Sequence, residues 1–517
     1  MDAILLIIAG VLLAVGGCFA LTSDLHMLQQ NSYYLSRYGR WLKGSLGSFV
    51  PRLFWAVALS VASINIYVLV AASALFALVY ALSAPKKQKK AIKPLVVTAR
   101  VKRQFFTAAV ILLGCAVGAY FWSYAVYLSI LFACVTPLTA CIVKLVNEPV
   151  EAAVRQYFIS DAKRILRKHK PMTVIGITGS YGKTGTKFAL ARILQERYNV
   201  AFTPASFNTP MGVVRTIREQ LKPTDDIFIV EMGAKNIGDI KEICDIVHPD
   251  IAIITSVGPQ HLETFKTLDN VARTKFELAD AVRSKGGRIY LNVDSEPIAA
   301  KAGEYTCIRY GSKDADSVIS DVTSGRYGAS FTLTHKGESV TLRTKLLGAH
   351  NVQNLAGVVT VATDLGVSER DIRFAVSKLD PVEHRLQLKP FINGSLLIDD
   401  AYNANPAGSL AAVDVLASFD GCRKIIVTPG LVELGDKEYQ YNFDLGKKAA
   451  QLCDEIVLVG EKRSIPLADG ARSVEGFSED RLHVVPTFKD AMTLLNGMTD
   501  SECAVLFEND LPDNYSK

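Results

Sequence analysis

The chain opens on long apolar runs and later changes its period. Ala3 to Leu21 carries no charged side chain and is long enough, as a helix, to cross a bilayer. Leu53 to Leu82 is a second run. As one helix it would measure about 45 Å, so it is expected as a single element that tilts or partly emerges. Phe105 to Trp122 and Tyr124 to Val146 follow almost without a gap, and Ser123 marks the expected turn of a hairpin. Four spans are expected, with three as the alternative. No basic segment precedes the first run and further runs follow, which argues against a cleaved signal peptide. From Asn147 to Pro171 the pattern is amphipathic and charged, as in a connecting helix. Beyond Met172, short β-branched runs alternate with helical spacing, the pattern of an α/β protein with parallel sheets.

Charge gives the runs a direction. Lys86, Lys87, Lys89, Lys90, Lys93, Arg100, Lys102 and Arg103 lie between the second and third runs with no acid among them. The loop before the second run carries Arg37, Arg40, Lys43 and Arg52 against Asp24. The denser cluster is expected on the cytoplasmic side, which puts both termini there too. It reads as a topology signal or, more sharply, as a contact with anionic lipid heads. The expected location is the inner (cytoplasmic) membrane, multi-pass, with the soluble part in the cytoplasm and membrane lipids as partners. A transporter would want ionisable residues within the runs, and the four runs hold no Asp, Glu, Arg or His and a single lysine, Lys144, near the end of the fourth.

The length of 517 residues suggests about three domains. The expected division is 1–146 transmembrane, 147–170 linker helix, 171–385 central nucleotide-binding domain and 386–517 Rossmann-like domain. The formal net charge of +6 comes largely from the lysine-rich cluster, so no nucleic-acid partner is expected. Nine cysteines form no CxxC pair and no zinc spacing, and a disulfide framework is not expected.

The chemistry concentrates after Met172. Val174, Ile175 and Ile177 read as a buried parallel strand, followed by Gly179-Ser180-Tyr181-Gly182-Lys183-Thr184 and then helical spacing from Lys187. Strand, glycine-rich loop, Lys-Thr and helix make a phosphate-binding loop. Backbone N–H groups and a helix N-terminus face the phosphates, Lys183 neutralises charge, and the Thr184 hydroxyl suits Mg²⁺. The general pattern places a glycine five positions before Gly182, where Ile177 stands, so the context rather than the spacing carries the reading. Asp226 to Glu231 is an apolar strand ending in a carboxylate, and Ile251 to Thr255 is another, leading into a loop with His261. An acid at the carboxyl end of a strand beside the phosphate loop is placed for a metal.

Gly176-Ile-Thr-Gly-Ser-Tyr-Gly-Lys-Thr184, Glu231-Met-Gly-Ala and Gly258-Pro-Gln-His261-Leu-Glu263 together resemble the motifs of the Mur ligases, most closely the MurF type. The resemblance runs from about residue 170 to the C-terminus. It implies ATP and two Mg²⁺ ions, one on Thr184 and Glu231, the other on His261 and a carbamylated Lys275. It implies nucleotide contacts at Asn292 and Asp294. It also implies an arginine, Arg385, that reaches ATP phosphates, and ribose and adenine contacts from Asp399-Asp400-Ala-Tyr402-Asn403-Ala-Asn405-Pro406. His350 and Asn351 resemble a substrate- or nucleotide-contacting pair, with capping of the following helix as the alternative. The catalytic residues implied are Lys183, His261, Lys275 and Arg385. The Gly179, Ser180 and Gly182 backbone would complete the phosphate site.

The implied activity is ATP-dependent amide-bond formation in peptidoglycan precursor synthesis through an acyl phosphate, joining D-alanyl-D-alanine to a muramoyl peptide that is nucleotide- or lipid-linked. The sequence departs from the pattern in three places. Asn442 stands seven residues after Gly435 where the family has histidine. Glu508-Asn509-Asp510 follows the last strand where the family has a basic run. The family's uridine-nucleotide-binding first domain is absent, with the apolar runs in its place. Two alternatives follow: a relative that adds another amino acid, such as glutamate, to a different acceptor, and a non-catalytic ATP-binding membrane scaffold.

Overall fold

The structure is a computed structural model. It describes residues 2–89, 91, 93–122, 124–205, 207–260, 262–402, 404–432 and 434–510. His261, Asn403, Ser123, Lys90 and Glu433 therefore lie outside the described residues. The chain forms two compact units, residues 1–157 and 158–510.

The first unit is helical. Its elements are α1 (Asp2–Gln30), α2 (Leu35–Gly44), α3 (Val50–Ala62), α4 (Ile66–Lys89), α5 (Ala99–Phe121), α6 (Ala125–Cys134) and α7 (Thr136–Lys168). Helix α7 continues through most of the expected linker, as far as Lys168, without a break. Among the described residues three helices, α1, α4 and α5, are long and apolar enough to cross a membrane, and α6 with α7 forms a pair bent by 95°. Leu13, Phe76, Leu112 and Ile130 meet in the interior. Gly17 lets α1 approach α6, since a Cβ there would sit 3.0 Å from the Ala133 backbone.

The second apolar run corrects the expectation of one tilted element. It breaks at Ser63-Ile64-Asn65 into α3 and α4. The Asn65 side chain accepts from the Tyr67 N–H at 3.0 Å and starts α4 afresh. Hydropathy has no period to register such a turn. The α6–α7 bend likewise falls inside an apolar run. Pro137 supplies no N–H there, and the Thr139 hydroxyl takes up the Phe132 carbonyl at 2.6 Å. The outer faces keep large apolar side chains exposed, among them Phe54 (69%), Val57 (65%) and Phe106 (72%).

A buried polar knot joins four of these helices. Asp24, fully buried, accepts from the Tyr38 hydroxyl at 2.7 Å, the Thr136 hydroxyl at 2.6 Å and Arg52 Nη1 at 2.8 Å. Both charges lie just outside the apolar runs, so the sequence pattern gave no sign that they meet.

The second unit holds two sheets. The first has the order β2-β3-β1-β4-β5-β6-β7-β8-β9. Its strands are β1 (Thr173–Thr178), β2 (Val200–Phe202), β3 (Ile227–Glu231), β4 (Ile251–Ile254), β5 (Arg288–Asn292), β6 (Ile308–Gly311), β7 (Ser317–Gly325), β8 (Gly328–His335) and β9 (Glu338–Thr344). The strands from β2 to β7 are parallel neighbours, and β7-β8-β9 is an antiparallel extension that the sequence reading did not foresee. Alternate strand residues feed two cores. Ile175, Ile229 and Ile253 pack on one face with helices α8 (Lys183–Leu194), α14 (Ala349–Asp364) and α15 (Glu369–Ser377). Val174, Phe228 and Ile254 pack on the other, with α9 (Pro210–Glu219), α10 (Asp239–Val247), α12 (Leu268–Arg283) and α13 (Glu296–Ala302). The short α11 (Leu262–Phe265) precedes α12. Both faces are covered, as a parallel sheet requires.

The second sheet has the order β10-β11-β15-β12-β13-β14, with β10 (Gln387–Pro390), β11 (Leu396–Asp400), β12 (Arg423–Thr428), β13 (Glu455–Val459), β14 (Leu482–Val485) and β15 (Cys503–Glu508). Only β10 is antiparallel to its neighbour. Helices α16 (Pro406–Ala417), α17 (Glu438–Leu452), α18 (Ser464–Arg472) and α19 (Phe488–Met498) connect the strands.

Candidate active site

The loop between β1 and α8 turns at Gly182, whose φ of 79° lies in the left-handed region. A Cβ there would also collide with the Asn354 side chain of α14. The loop is pinned to the segment after β4. The Ser180 N–H donates to the Ser256 carbonyl at 2.8 Å, the Ser180 hydroxyl to the Gly258 carbonyl at 3.0 Å, and the Tyr181 N–H to the Ser256 hydroxyl at 2.8 Å. Lys183 Nζ folds back onto the Gly179 and Ser180 carbonyls at 2.6 and 3.1 Å. Burial pulls its pKa down to about 8, with Arg385 adding to the fall and Glu231 opposing it.

Glu231, at the end of β3, faces this loop. Its carboxylate accepts from the Thr184 hydroxyl at 3.1 Å, Asn208 Nδ2 at 2.9 Å and Lys187 Nζ at 3.0 Å. Its own N–H donates to the Thr203 hydroxyl at 3.1 Å. Burial works against its charge, but Lys187, Lys183 and the Asn208 hydrogen bond outweigh it and leave the pKa below the usual value. An ionised carboxylate beside a hydroxyl is a hard oxygen pair that fits Mg²⁺. Among the described residues no three His, Cys, Asp or Glu side chains cluster as a ready metal cage, so further ligands would come from phosphate oxygens and water.

Lys275 lies on α12, 1% exposed. No hydrogen bond or ion pair holds its amine among the described residues. Burial first, then the nearby Lys183 charge, depresses its pKa well below the ordinary lysine value. His261 lies outside the described residues, so its distance from Lys275 is not described.

The structure engages other candidates within the fold. Asn292 Nδ2 donates to the Thr255 carbonyl at 2.8 Å, and its Oδ1 accepts from the Asp294 N–H at 3.1 Å. Asp294 holds the Ser312 N–H and hydroxyl at 2.8 and 2.7 Å. Neither His350 nor Asn351 caps α14, whose N-cap is Gly348. Asn351 Nδ2 donates back to the Leu347 carbonyl at 2.8 Å, while His350 Nδ1 has no partner among the described residues and burial lowers the ring pKa to about 4.

Arg385 sits between two backbone positions of positive φ, His384 (57°) and Leu386 (45°). Its guanidinium lies 5.1 Å from the Tyr402 ring centre. The turn is tied to the Asp399-Asp400 strand end: the Leu386 N–H donates to Asp400 Oδ1 at 3.2 Å, and His384 Nδ1 and Lys389 Nζ both reach Asp399 Oδ2 at 2.8 Å. Arg385 is felt electrostatically at Lys183 and Lys187 as well as at Asp400. Its charge is thus close enough to act on the phosphate loop as well as on the end of β11. Asn403 lies outside the described residues.

The departures from the family pattern acquire structural roles. Asn442 accepts from the Leu431 N–H at 2.8 Å and donates to the Leu431 and Glu438 carbonyls at 3.1 and 2.8 Å, which uses its whole amide to hold a loop. Glu508 is fully buried and lies opposite Asp400 in the β11–β15 register. Ser409 donates to its Oε1, and its Oε2 has no donor among the described residues. Burial pushes both carboxyls up, Asp400 to about 6; repulsion from Asp400 adds to the rise at Glu508, and repulsion from Asp399 to that at Asp400. The fold thus carries a proton that the unfolded chain releases. That stabilisation is complete below the ordinary Asp value near 3.8 and is lost as pH rises through about 6. Glu508→Gln is expected to raise Tm at pH 8 by about 2–4 °C and to flatten the fall of Tm between pH 5 and 8. Parallel Tm–pH curves for the two proteins would remove the shared proton.

Two residues escaped the sequence reading. Lys187 stands one helical turn after Lys183, a spacing that could have paired it with the strand-end acid. Asn208 carries no local signal.

Residues 177–362 match the Mur ligase middle domain and residues 384–507 the Mur ligase glutamate ligase domain. The chain belongs to the Mur ligase family. These matches place the β1–α8 loop, Glu231 and Lys275 of this Mur ligase in the middle domain, and Arg385 at the start of the glutamate ligase domain. The Bacillus subtilis (strain 168) UDP-N-acetylmuramoyl-tripeptide–D-alanyl-D-alanine ligase is 29% identical over 337 residues, 65% of this chain and 72% of that one. The enzyme of that name from Mycobacterium bovis is 33% identical over 318 residues, 59% of this chain and 62% of that one. This Mur ligase therefore spans less than two thirds of the mycobacterial protein. The crystal structure of MurF ligase from Thermotoga maritima in complex with ADP superposes with a TM-score of 0.61 at 25% identity, covering 69% of this chain and 80% of that one. Both matched domains begin beyond the helical unit.

Proposed function

We propose that this Mur ligase uses ATP to activate the terminal carboxylate of a UDP-linked muramoyl tripeptide and joins it to D-alanyl-D-alanine, in peptidoglycan precursor synthesis. The observation that carries the reading is the convergence of Lys183, Thr184 and Glu231 at neighbouring strand ends, in a chain 29–33% identical to ligases of that name.

An amide does not form from a carboxylate and an amine in water without activation. The substrate carboxylate attacks the γ-phosphorus of ATP, the bond to the β-phosphate oxygen breaks, and an acyl phosphate and ADP result. The amine then attacks the acyl carbon, phosphate leaves with the bonding pair, and the amine proton passes to solvent. The chain's work is positioning and charge neutralisation. Lys183 recovers its full charge as the phosphates replace the backbone carbonyls it now holds. Arg385 would contribute a second cation from the junction with the glutamate ligase domain. Asp399, Asp400, Tyr402 and Asn403, with Asn292 and Asp294, would line the nucleoside. Mg²⁺ supplies charge neutralisation at the phosphate oxygens. Thr184 and Glu231 would hold one ion, and His261 with a carbamylated Lys275 the other. A buried lysine whose pKa is depressed yields more readily the neutral amine that adds CO₂: the N–C bond forms, a proton leaves, and an anionic oxygen ligand replaces the amine.

We further infer that α1, α4, α5 and the α6–α7 pair cross the cytoplasmic membrane with their lysine-rich ends inward. The exposed apolar faces of α3, α4 and α5 support this, since a water-exposed patch of that size would aggregate.

The test of the reaction is mass spectrometry of the product. Incubation with ATP, UDP-linked muramoyl tripeptide and D-alanyl-D-alanine is expected to give the pentapeptide and one ADP per bond. Extension of a lipid-linked acceptor alone, or with glutamate alone, would replace the substrate assignment. No substrate-stimulated ADP release with any acceptor would favour a scaffold.

A further inference from the structure

Glu231 is the acid suited to hold a metal beside Thr184, yet its charge already has a partner. Lys187 Nζ lies 3.0 Å from its Oε2, and the two side chains are 0% and 1% exposed. Water screens such a pair poorly, so the two charges compensate one another closely. The carboxylate oxygens have separate partners. Oε1 accepts from the Thr184 hydroxyl at 3.1 Å and from Asn208 Nδ2 at 2.9 Å, whereas Oε2 accepts from Lys187. A metal shared with Thr184 therefore reaches Oε1 and leaves the ammonium in contact with Oε2.

Lys187 is fixed where it is. Its Nζ also donates to the Ala205 carbonyl at 2.5 Å and lies 4.5 Å from the Phe188 ring centre. Ala205 carries a φ of 43°, a conformation that a non-glycine residue keeps only where its surroundings hold it. The same loop supplies Asn208 to Oε1 and the Thr203 hydroxyl to the Glu231 N–H. The ammonium is thus part of the carboxylate's fixed setting, unlike a surface cation that can swing away.

Around this one carboxylate the charges are mostly positive. Lys187 is in contact with it, and the Lys183 ammonium, held over the loop by the Gly179 and Ser180 carbonyls, also acts on it. Arg385 acts on both lysines. Among the described residues no three acids gather to outweigh them. A bare divalent cation meets a neutralised carboxylate and further positive charge. A nucleotide brings several negative charges on its phosphates and reverses that balance, so nucleotide and metal each favour the binding of the other.

We propose that Lys187 is a resident counter-ion that makes metal binding at Thr184 and Glu231 depend on nucleotide, keeping the position from taking a divalent cation until phosphate oxygens arrive. The proposal rests on the assignment of Thr184 and Glu231 as metal ligands. Lys187 acts through Glu231 and is a positioning residue.

The test reads Mn²⁺ binding by electron paramagnetic resonance on the full chain in a non-ionic detergent, without turnover. The nucleotide-free parent is expected to bind Mn²⁺ with a dissociation constant of about 1 mM or weaker. Lys187→Gln removes the charge and keeps a donor, and is expected to bind it about tenfold more tightly or better. Adding Glu231→Gln to Lys187→Gln is expected to return the affinity to that of the parent, because the ion then loses its carboxylate. ADP is expected to give the parent a protein-bound Mn²⁺. Tight Mn²⁺ binding by the nucleotide-free parent, a measurement that needs no variant, would overturn the proposal. So would a Lys187→Gln protein that melts cooperatively and binds Mn²⁺ no more tightly than the parent, or a gain that survives Glu231→Gln. A parent that acquires no protein-bound Mn²⁺ with ADP would instead remove the metal assignment at Thr184 and Glu231, and that failure is read separately from the nucleotide-free comparison.

Discussion

Lys183→Ala is expected to lower ADP release at saturating substrates by about 10³-fold or more, while leaving Tm unchanged or slightly raised. The direction of both effects follows from the same observations. Lys183 opens α8 directly after the left-handed Gly182, and its ammonium is held over the loop by the Gly179 and Ser180 carbonyls at 2.6 and 3.1 Å. A phosphoryl in transfer spreads negative charge over its outer oxygens, and removing one preorganised donor from such a site costs about 3–4 kcal/mol, or 10²–10³ in rate. Lys183 also brings charge compensation to Glu231, so its loss disturbs a second group and pushes the effect to the upper end. Stability behaves oppositely, because the folded protein holds this amine at a pKa of about 8 against its burial. A strained charge that is deleted relieves the fold. Lys183→Arg is not expected to rescue, since a planar fork cannot occupy the place of a compact ammonium. Turnover within tenfold of the parent would take this lysine out of phosphoryl transfer, and a collapse of Tm would make the loss one of folding.

Lys275→Ala is expected to cost about 10²–10³ in kcat with little change in nucleotide affinity, and the loss should be partly reversed by millimolar short-chain carboxylates. Lys275 is buried on α12 with no partner for its amine among the described residues, and its pKa lies well below the ordinary value through burial and then through Lys183. A lysine left as a cation in that position would face a desolvation that Glu277 and Asp239 only partly offset, and repulsion from Lys183. As a carbamate it becomes an oxygen donor of opposite charge, and the two groups attract. Protein equilibrated with ¹³C-bicarbonate should therefore carry one carbamate signal that Lys275→Ala lacks, and rigorous removal of CO₂ should reduce activity until bicarbonate is restored. The label is read independently of turnover. A parent protein without the signal, or a fully active alanine variant, would refute the carbamate.

The two lysines differ in how they became visible. The phosphate loop is legible from residues 172–187 because strand, glycine turn, lysine and helix are contiguous, and a local backbone conformation needs only local sequence. The strand-end acid Glu231 is legible as an apolar run closed by a carboxylate. Lys275 has no such local signature and came into view through resemblance to the Mur ligases. The apolar runs announced the helical unit, but hydropathy carries no direction, so it could not register that the helix breaks at Ser63-Ile64-Asn65.

By itself, then, the sequence determined the class of fold, the loop that faces phosphate and the ends of the strands where chemistry collects, because each depends on the period and order of nearby side chains. Tertiary structure alone decided which charges meet. Lys187 locks Glu231, Asp24 takes Arg52 and Tyr38, Asn442 spends its amide on a loop, and Glu508 confronts Asp400 across two paired strands. Electrostatic strength depends on distance and burial, and both are set by packing between segments far apart in the chain.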